Sequence, residues 1–217
     1  MRAAYGKRLL LGAVAAMVAS AASAHEVWVE RDGSGPARVY LGEPVETQPP
    51  AGDPEFPKLK APVVFNTDPS KPATLTRRAN HIEAAVGPGD VRVRDDNIFK
   101  PWTGDDGLTA GVYYGRAGRS ETRAALDLEI TPTAANSDTF VVMFKGKPLP
   151  GARVTVINPE LWSKVLKADE NGRVKAPVTG PGRYLLGVNH PEKAAATIAG
   201  QQVAAVSHTS TTTFFHR

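Results

Sequence analysis

From position 25 onward, apolar residues alternate with polar ones in short runs, and nearly every run is closed by proline or glycine. Val27, Val39, Leu41, Val63, Leu75, Ile82, Val86, Val91 and Val93 sit in such runs. A period of two places side chains on alternate faces of a strand, so one face can be buried while the other meets water. Few segments carry the 3.6-residue period of a helix, and the turn residues recur at the spacing of a β-sandwich. The pattern predicts an all-β fold.

Residues 1–24 follow a different rule. Arg2, Lys7 and Arg8 precede an apolar run from Leu9 to Val18, and Ala22-Ser23-Ala24 has the small residues a signal peptidase needs. This predicts a signal peptide over 1–24, cleavage between Ala24 and His25, and a periplasmic mature chain. The run is shorter than the ~20 residues that span a bilayer, and no later stretch reaches that length, so no membrane span is expected in the mature protein. The leader holds three of the 26 bases and no acid, leaving 23 bases against 22 acids. The basic balance of the whole chain is therefore mostly its leader. No basic stripe is interleaved with aromatics, which removes support for nucleic-acid binding. Cysteine is absent, so disulfides and thiolate metal sites are excluded.

Six prolines in 44–62 mark an irregular excursion, because proline has no N–H for a ladder. A second loop, Asp95 to Gly107, carries Ile98, Phe99 and Trp102, which predicts that part of it packs on a sheet. Its Asp95-Asp96 and Asp105-Asp106 pairs lack the ligand spacing of a calcium loop and read as turn residues. Thr122 to Ile130 is expected to be one strand, with Ala124, Leu126, Leu128 and Ile130 on one face. Residues 131–137, polar and broken by Pro132, read as a linker. Two β-sandwich parts follow, 25–131 and 138–217. In the second, strands are expected over Thr139–Phe144, Ala152–Ile157, Trp162–Lys167 and Arg183–His190. Asn171-Gly172 should form a turn, since this pair accepts positive φ.

Phe144-Lys-Gly-Lys-Pro-Leu-Pro-Gly-Ala-Arg-Val-Thr-Val156, Ala168-Asp-Glu-Asn-Gly-Arg-Val174 and Gly180-Pro-Gly-Arg-Tyr184 resemble the transthyretin-like, or carboxypeptidase-regulatory-like, β-sandwich. With His25-Glu-Val-Trp28, Tyr113-Tyr-Gly-Arg116, Leu128-Glu-Ile-Thr-Pro132 and Thr211-Thr-Thr-Phe-Phe215, the chain resembles a family of uncharacterised periplasmic domains identified with cobalt and nickel uptake. The resemblance spans most of the mature chain. It departs at a shorter connection before the last strand and at Ala205-Val-Ser-His208, where the family commonly has aromatics. It implies binding of nickel or cobalt as an accessory to a membrane metal-uptake system.

The candidate metal ligands are His25, His190 and His208. Cleavage before His25 would free an α-amine on the residue that also carries an imidazole, and the two nitrogens can chelate one ion in a small ring. Their ordinary pKa values, ~8 and ~6.5, make deprotonation at neutral pH inexpensive. Nitrogen donors suit nickel, cobalt, copper and zinc over calcium or magnesium. His190 continues the face of Tyr184, Leu186 and Val188, so it is either a core-edge residue or a ligand at a strand end. If 183–190 and 202–208 form a simple hairpin, His190 and His208 lie at opposite ends, about 20 Å apart at ~3.3 Å per residue. Other routing would lift that restriction. His81 and His216 read as surface residues.

No Gly-x-Ser-x-Gly elbow, His-Glu-x-x-His run, phosphate loop or dinucleotide fingerprint occurs, which argues against an enzyme. The alternative to metal binding is a non-catalytic β-sandwich interaction module of the cell envelope. A third reading is copper redox chemistry at His25, which would need a second positioned histidine.

Overall fold

The computed structural model describes residues 25–217, so the predicted leader lies outside the described residues. The first half of the chain forms β1 (Glu26–Glu30), β2 (Ala37–Gly42), β3 (Val63–Phe65), β4 (Thr74–Arg77), β5 (Ile82–Ala85), β6 (Val91–Asp95), β7 (Trp102–Gly104) and β8 (Gly107–Ala117). Then come β9 (Leu128–Pro132), β10 (Thr139–Phe144), β11 (Lys147–Pro148), β12 (Arg153–Ile157), β13 (Ser163–Lys167) and β14 (Arg173–Lys175). The chain ends with β15 (Gly182–Glu192), β16 (Ala196–Ile198), β17 (Gln201–Val203) and β18 (Ala205–His216). One 3-10 turn, Phe56–Lys58, is the sole helical element among the described residues. The all-β expectation holds, and no helix among those residues is long and apolar enough to cross a membrane.

The strands make a layered β-sandwich around one central sheet, ordered β13-β12-β15-β18-β8-β6-β3, with β7 added to β8. All its pairings are antiparallel except β18 with β8, which is parallel. A sheet ordered β1-β2-β5-β4 meets one face of it, and β9, β10, β11 and β14 cover the other. On the second face Phe214 stacks between Phe140 and Tyr184, at ring separations of 5.6 and 5.4 Å. On the first, β1 approaches edge-on. Val27 and Val29 pack with Val64, Val91 and Val93, while Trp28 turns the other way, toward Ile157 and Leu185. Gly115 makes room for this approach: a Cβ there would lie 2.8 Å from Val93 and 3.5 Å from the Trp28 backbone.

The boundary predicted at 131–137 does not divide the core. Thr131 and Pro132 belong to β9, which pairs with β10, and the residues after them form the turn, with Asn136 at φ 61°. Pro132 is tolerated because β9 is an edge strand. One apolar cluster joins Ala110, Val112 and Tyr114 to Val154, Leu186 and Phe214, so parts 25–131 and 138–217 share a core.

The strand expected over Thr122 to Ile130 begins only at Leu128. Glu129 is the reason. Its side chain points inward and its Oε2 accepts the N–H groups of Ala125 and Leu126, which therefore do not join a ladder. Its Oε1 receives Arg92 Nε at 3.0 Å and Arg116 Nη1 at 2.8 Å. Arg116 also pairs with Asp90, and Arg92 with Glu121. Glu129, Arg92, Arg116 and Asp90 are buried and each is hydrogen-bonded to an opposite charge, the condition under which burying them is tolerable.

Candidate functional site

His25 stands immediately before β1, and its ring is held by the proline-rich excursion. That segment is anchored: Phe56 and Leu59 are buried, and Asp53 caps the turn by accepting the Glu55 N–H at 2.7 Å. The excursion approaches β2 at Gly42, where φ is 155° and a Cβ would stand 3.1 Å from both Asp53 Oδ2 and Gln48 Nε2. Asp53 Oδ1 lies 3.1 Å from His25 Nε2. A carboxylate only accepts, so Nε2 carries the proton in this bond. In the neutral ring Nδ1, the nitrogen nearer the main chain, then keeps its lone pair. The Phe99 ring borders the imidazole edge-on at 6.4 Å, and Tyr113 packs behind Phe99 at 5.7 Å.

Glu26, the next residue, turns to the opposite face of β1. Its carboxylate lies over Gly187, where a Cβ would come within 3.2 Å of Oε2. That oxygen is sealed from solvent and has no hydrogen-bond partner, and burial pushes the Glu26 pKa up to about 7.

His190 and His208 are not at opposite ends of a hairpin. They face each other directly across the β15–β18 pair. The connection between these strands contains its own small hairpin, β16–β17, and the long strands continue in register beyond the segments expected from sequence. Directly opposed residues share a face. Phe144 meets both rings, with centroids 4.4 Å from His190 and 5.1 Å from His208.

His208 is buried and committed. Its Nδ1 is 3.1 Å from the Tyr114 hydroxyl, its Nε2 is 3.1 Å from Glu192 Oε2, and its ring stacks on Tyr114. The network assigns the proton to Nε2, donated to Glu192, with Nδ1 accepting from Tyr114. Burial lowers the pKa of both His208 and His190, against the pull of Glu192. Lys145 pairs with the other oxygen of Glu192 and holds that carboxyl below the ordinary range.

The three predicted ligands therefore fall at two places. His25 is reached through Phe99 and Tyr113, whereas His208 stacks on Tyr114; adjacent residues of β8 point to opposite faces of the central sheet, which separates the two sites. Among the described residues, no group of three or more His, Asp or Glu side chains is arranged to hold a metal ion. His81, read as a surface residue, is partly enclosed beside Tyr40 and hydrogen-bonds Asn80 at 2.7 Å. His216 is 3.3 Å from Arg119.

Sequence reasoning missed Asp53, which lies 28 residues from His25 inside a stretch that reads as a loose loop. Asp53-Pro-Glu ahead of Phe56 is a turn signal, yet nothing in it names His25 as a partner. Comparison with protein-family models, curated proteins and solved structures finds no match.

Proposed function

We propose that this chain is a periplasmic binding protein for a divalent transition-metal ion, nickel or cobalt, serving as an accessory to metal uptake. The ion would be held by the α-amine and Nδ1 of His25 once the leader is removed after Ala24. The observation that carries this reading is the 3.1 Å contact from His25 Nε2 to Asp53 Oδ1. Metal-binding histidines characteristically donate their second ring nitrogen to a carboxylate, which fixes the tautomer and raises the basicity of the ligating nitrogen. Here that arrangement leaves Nδ1 as the donor, and Nδ1 is the ring nitrogen able to close a small chelate with the residue's own amine. The chemistry is capture and hand-over, with no bond made or broken in a substrate. Copper and zinc fit the same donors, and copper binds most nitrogen sites tightest by the intrinsic order of the divalent ions.

Asp53→Asn tests this. Nickel titrated into protein beginning at His25 should bind ~10–100-fold more weakly in the variant, as loss of such an outer carboxylate costs elsewhere. Unchanged affinity would reject the arrangement.

A second reading, the envelope interaction module, draws on Trp162, which is 78% exposed beside the edge strand β13 with Val165 half exposed. Tryptophan is enriched among the residues that carry binding energy at protein interfaces. Retention of the chain by isolated cell envelopes, lost in Trp162→Ala, would support it; equal retention would count against it.

A further inference from the structure

A cleft of about 460 Å³, lined in part by the Phe99 ring that borders His25, opens between residues 58–60 and 97–100. Lys58, Lys60, Asn97, Ile98, Phe99 and Lys100 line it, and no carboxylate does. Its size falls in the range of small-molecule sites.

The lysines are brought together by the packing beneath them. Leu59, between Lys58 and Lys60, is wholly buried, and Ile98 is buried two residues before Lys100. The second loop is fixed further by the Asn97 N–H, which donates to Asp95 Oδ1 at 2.8 Å. Two loops far apart in sequence are thus pinned so that like charges meet. Lys58 is answered by Glu55 and lies over the Phe99 ring, 4.9 Å from its centroid. Lys60 and Lys100 are exposed, and among the described residues neither forms an ion pair. Lys60 also borders an adjoining cleft that holds Asp95 and Asp96, but Asp96 pairs with Arg94, so Lys60 and Lys100 remain to put positive charge around the apolar floor.

We propose that this cleft is a binding site for a small organic polycarboxylate. Lys60 and Lys100 meet the carboxylates as charge-assisted donors, the Asn97 side chain supplies a neutral polar contact, and Phe99 and Ile98 cover the carbon skeleton. A bare oxyanion would satisfy the lysines and leave the apolar floor uncovered, so the site favours an anion with a carbon body. The proposal uses residues other than His25 and Asp53 and stands independently of the metal reading.

The test is calorimetric titration of metal-free protein beginning at His25, at low salt, with tricarballylate, a tricarboxylate, and separately with sulfate. Tricarballylate should bind with an affinity that falls steeply as salt is raised. The Lys60→Ala/Lys100→Ala double variant should lose ~10-fold or more, and sulfate should bind wild type at least ~10-fold more weakly than tricarballylate. Both lysines are exposed, so the fold is not at risk, and an unchanged thermal melt verifies this. Equal affinity in wild type and double variant, no binding to wild type at millimolar ligand, or sulfate binding as well as tricarballylate would each overturn the proposal. Nickel affinity of the double variant should match wild type. Failure of nickel binding with the carboxylate result intact would count against the metal reading alone.

Discussion

Thr211 donates its hydroxyl, at 2.8 Å, to the carbonyl of Val27, 184 residues earlier in the chain. Thr213 does the same to Val29 on the same edge of β1, and Thr212, pointing the other way, donates at 2.8 Å to the Ile130 carbonyl in β9. The run Thr211-Thr-Thr213 is polar in sequence and almost wholly buried in the fold. Each hydroxyl satisfies a main-chain acceptor of a neighbouring sheet, so β18 joins both outer layers to the central one. It also seals the free edge of β1, which would otherwise present unpaired carbonyls.

Thr211→Val and Thr213→Val keep the volume and remove the donor, leaving a buried carbonyl unpaired. Each should lower stability by ~1–3 kcal/mol, read from urea denaturation. A change within error would mean that these carbonyls find other partners.

Glu129 binds Arg92 and Arg116 together at the centre of the buried network. Glu129→Ala leaves two guanidinium groups short of a counter-charge, and the loss should be ~3–5 kcal/mol. A loss below ~1 kcal/mol would show that Asp90 and Glu121 suffice.

Residues 138–217 expressed alone lack β8, the parallel partner of β18, and β9, the antiparallel partner of β10. Their share of the common core would face water, so the fragment should give no cooperative thermal transition by circular dichroism. A sharp melt would show instead that this half folds by itself.

His208 titrates below its ordinary value of 6.5 in the folded chain. Because its folded pKa is lowered, the unfolded chain takes up the proton first as pH falls. The contribution to stability is present above pH 6.5 and is lost on acidification below it. Glu192, whose pKa is also lowered, adds a loss of the same sign at lower pH. Glu26, raised to about 7, acts with the opposite sign over the same range, so the His208 contribution is read as the difference between wild type and His208→Gln, and the advantage of wild type should shrink as pH falls below 6.5. Parallel curves would contradict this.

The strands and turns were legible because they are local. The Thr139–Phe144 alternation, the turn at Gly172 with φ 71° and the shared face of Tyr184, Leu186 and Val188 all appear where the pattern places them. What escaped was set by contacts remote in sequence. The register that puts His190 opposite His208 depends on how β16–β17 folds out of the connection, which alternation cannot specify. Glu129 reads as an outward residue of an alternating strand, yet two arginines from β6 and β8 draw it inside. His25 could be singled out from its position after Ala24, but Asp53, which gives its ring an orientation, came into view only when the excursion was seen to fold back on Gly42.

The most direct measurement compares nickel and cobalt affinity of protein beginning at His25 with that of the same protein selectively acetylated on its α-amine. Acetylation removes the amine as a donor and leaves the imidazole, Asp53 and the fold in place. If amine and Nδ1 chelate together, affinity should drop by ~100-fold or more, since a lone imidazole replaces a two-nitrogen chelate. Equal affinity in the two proteins would contradict the His25 site.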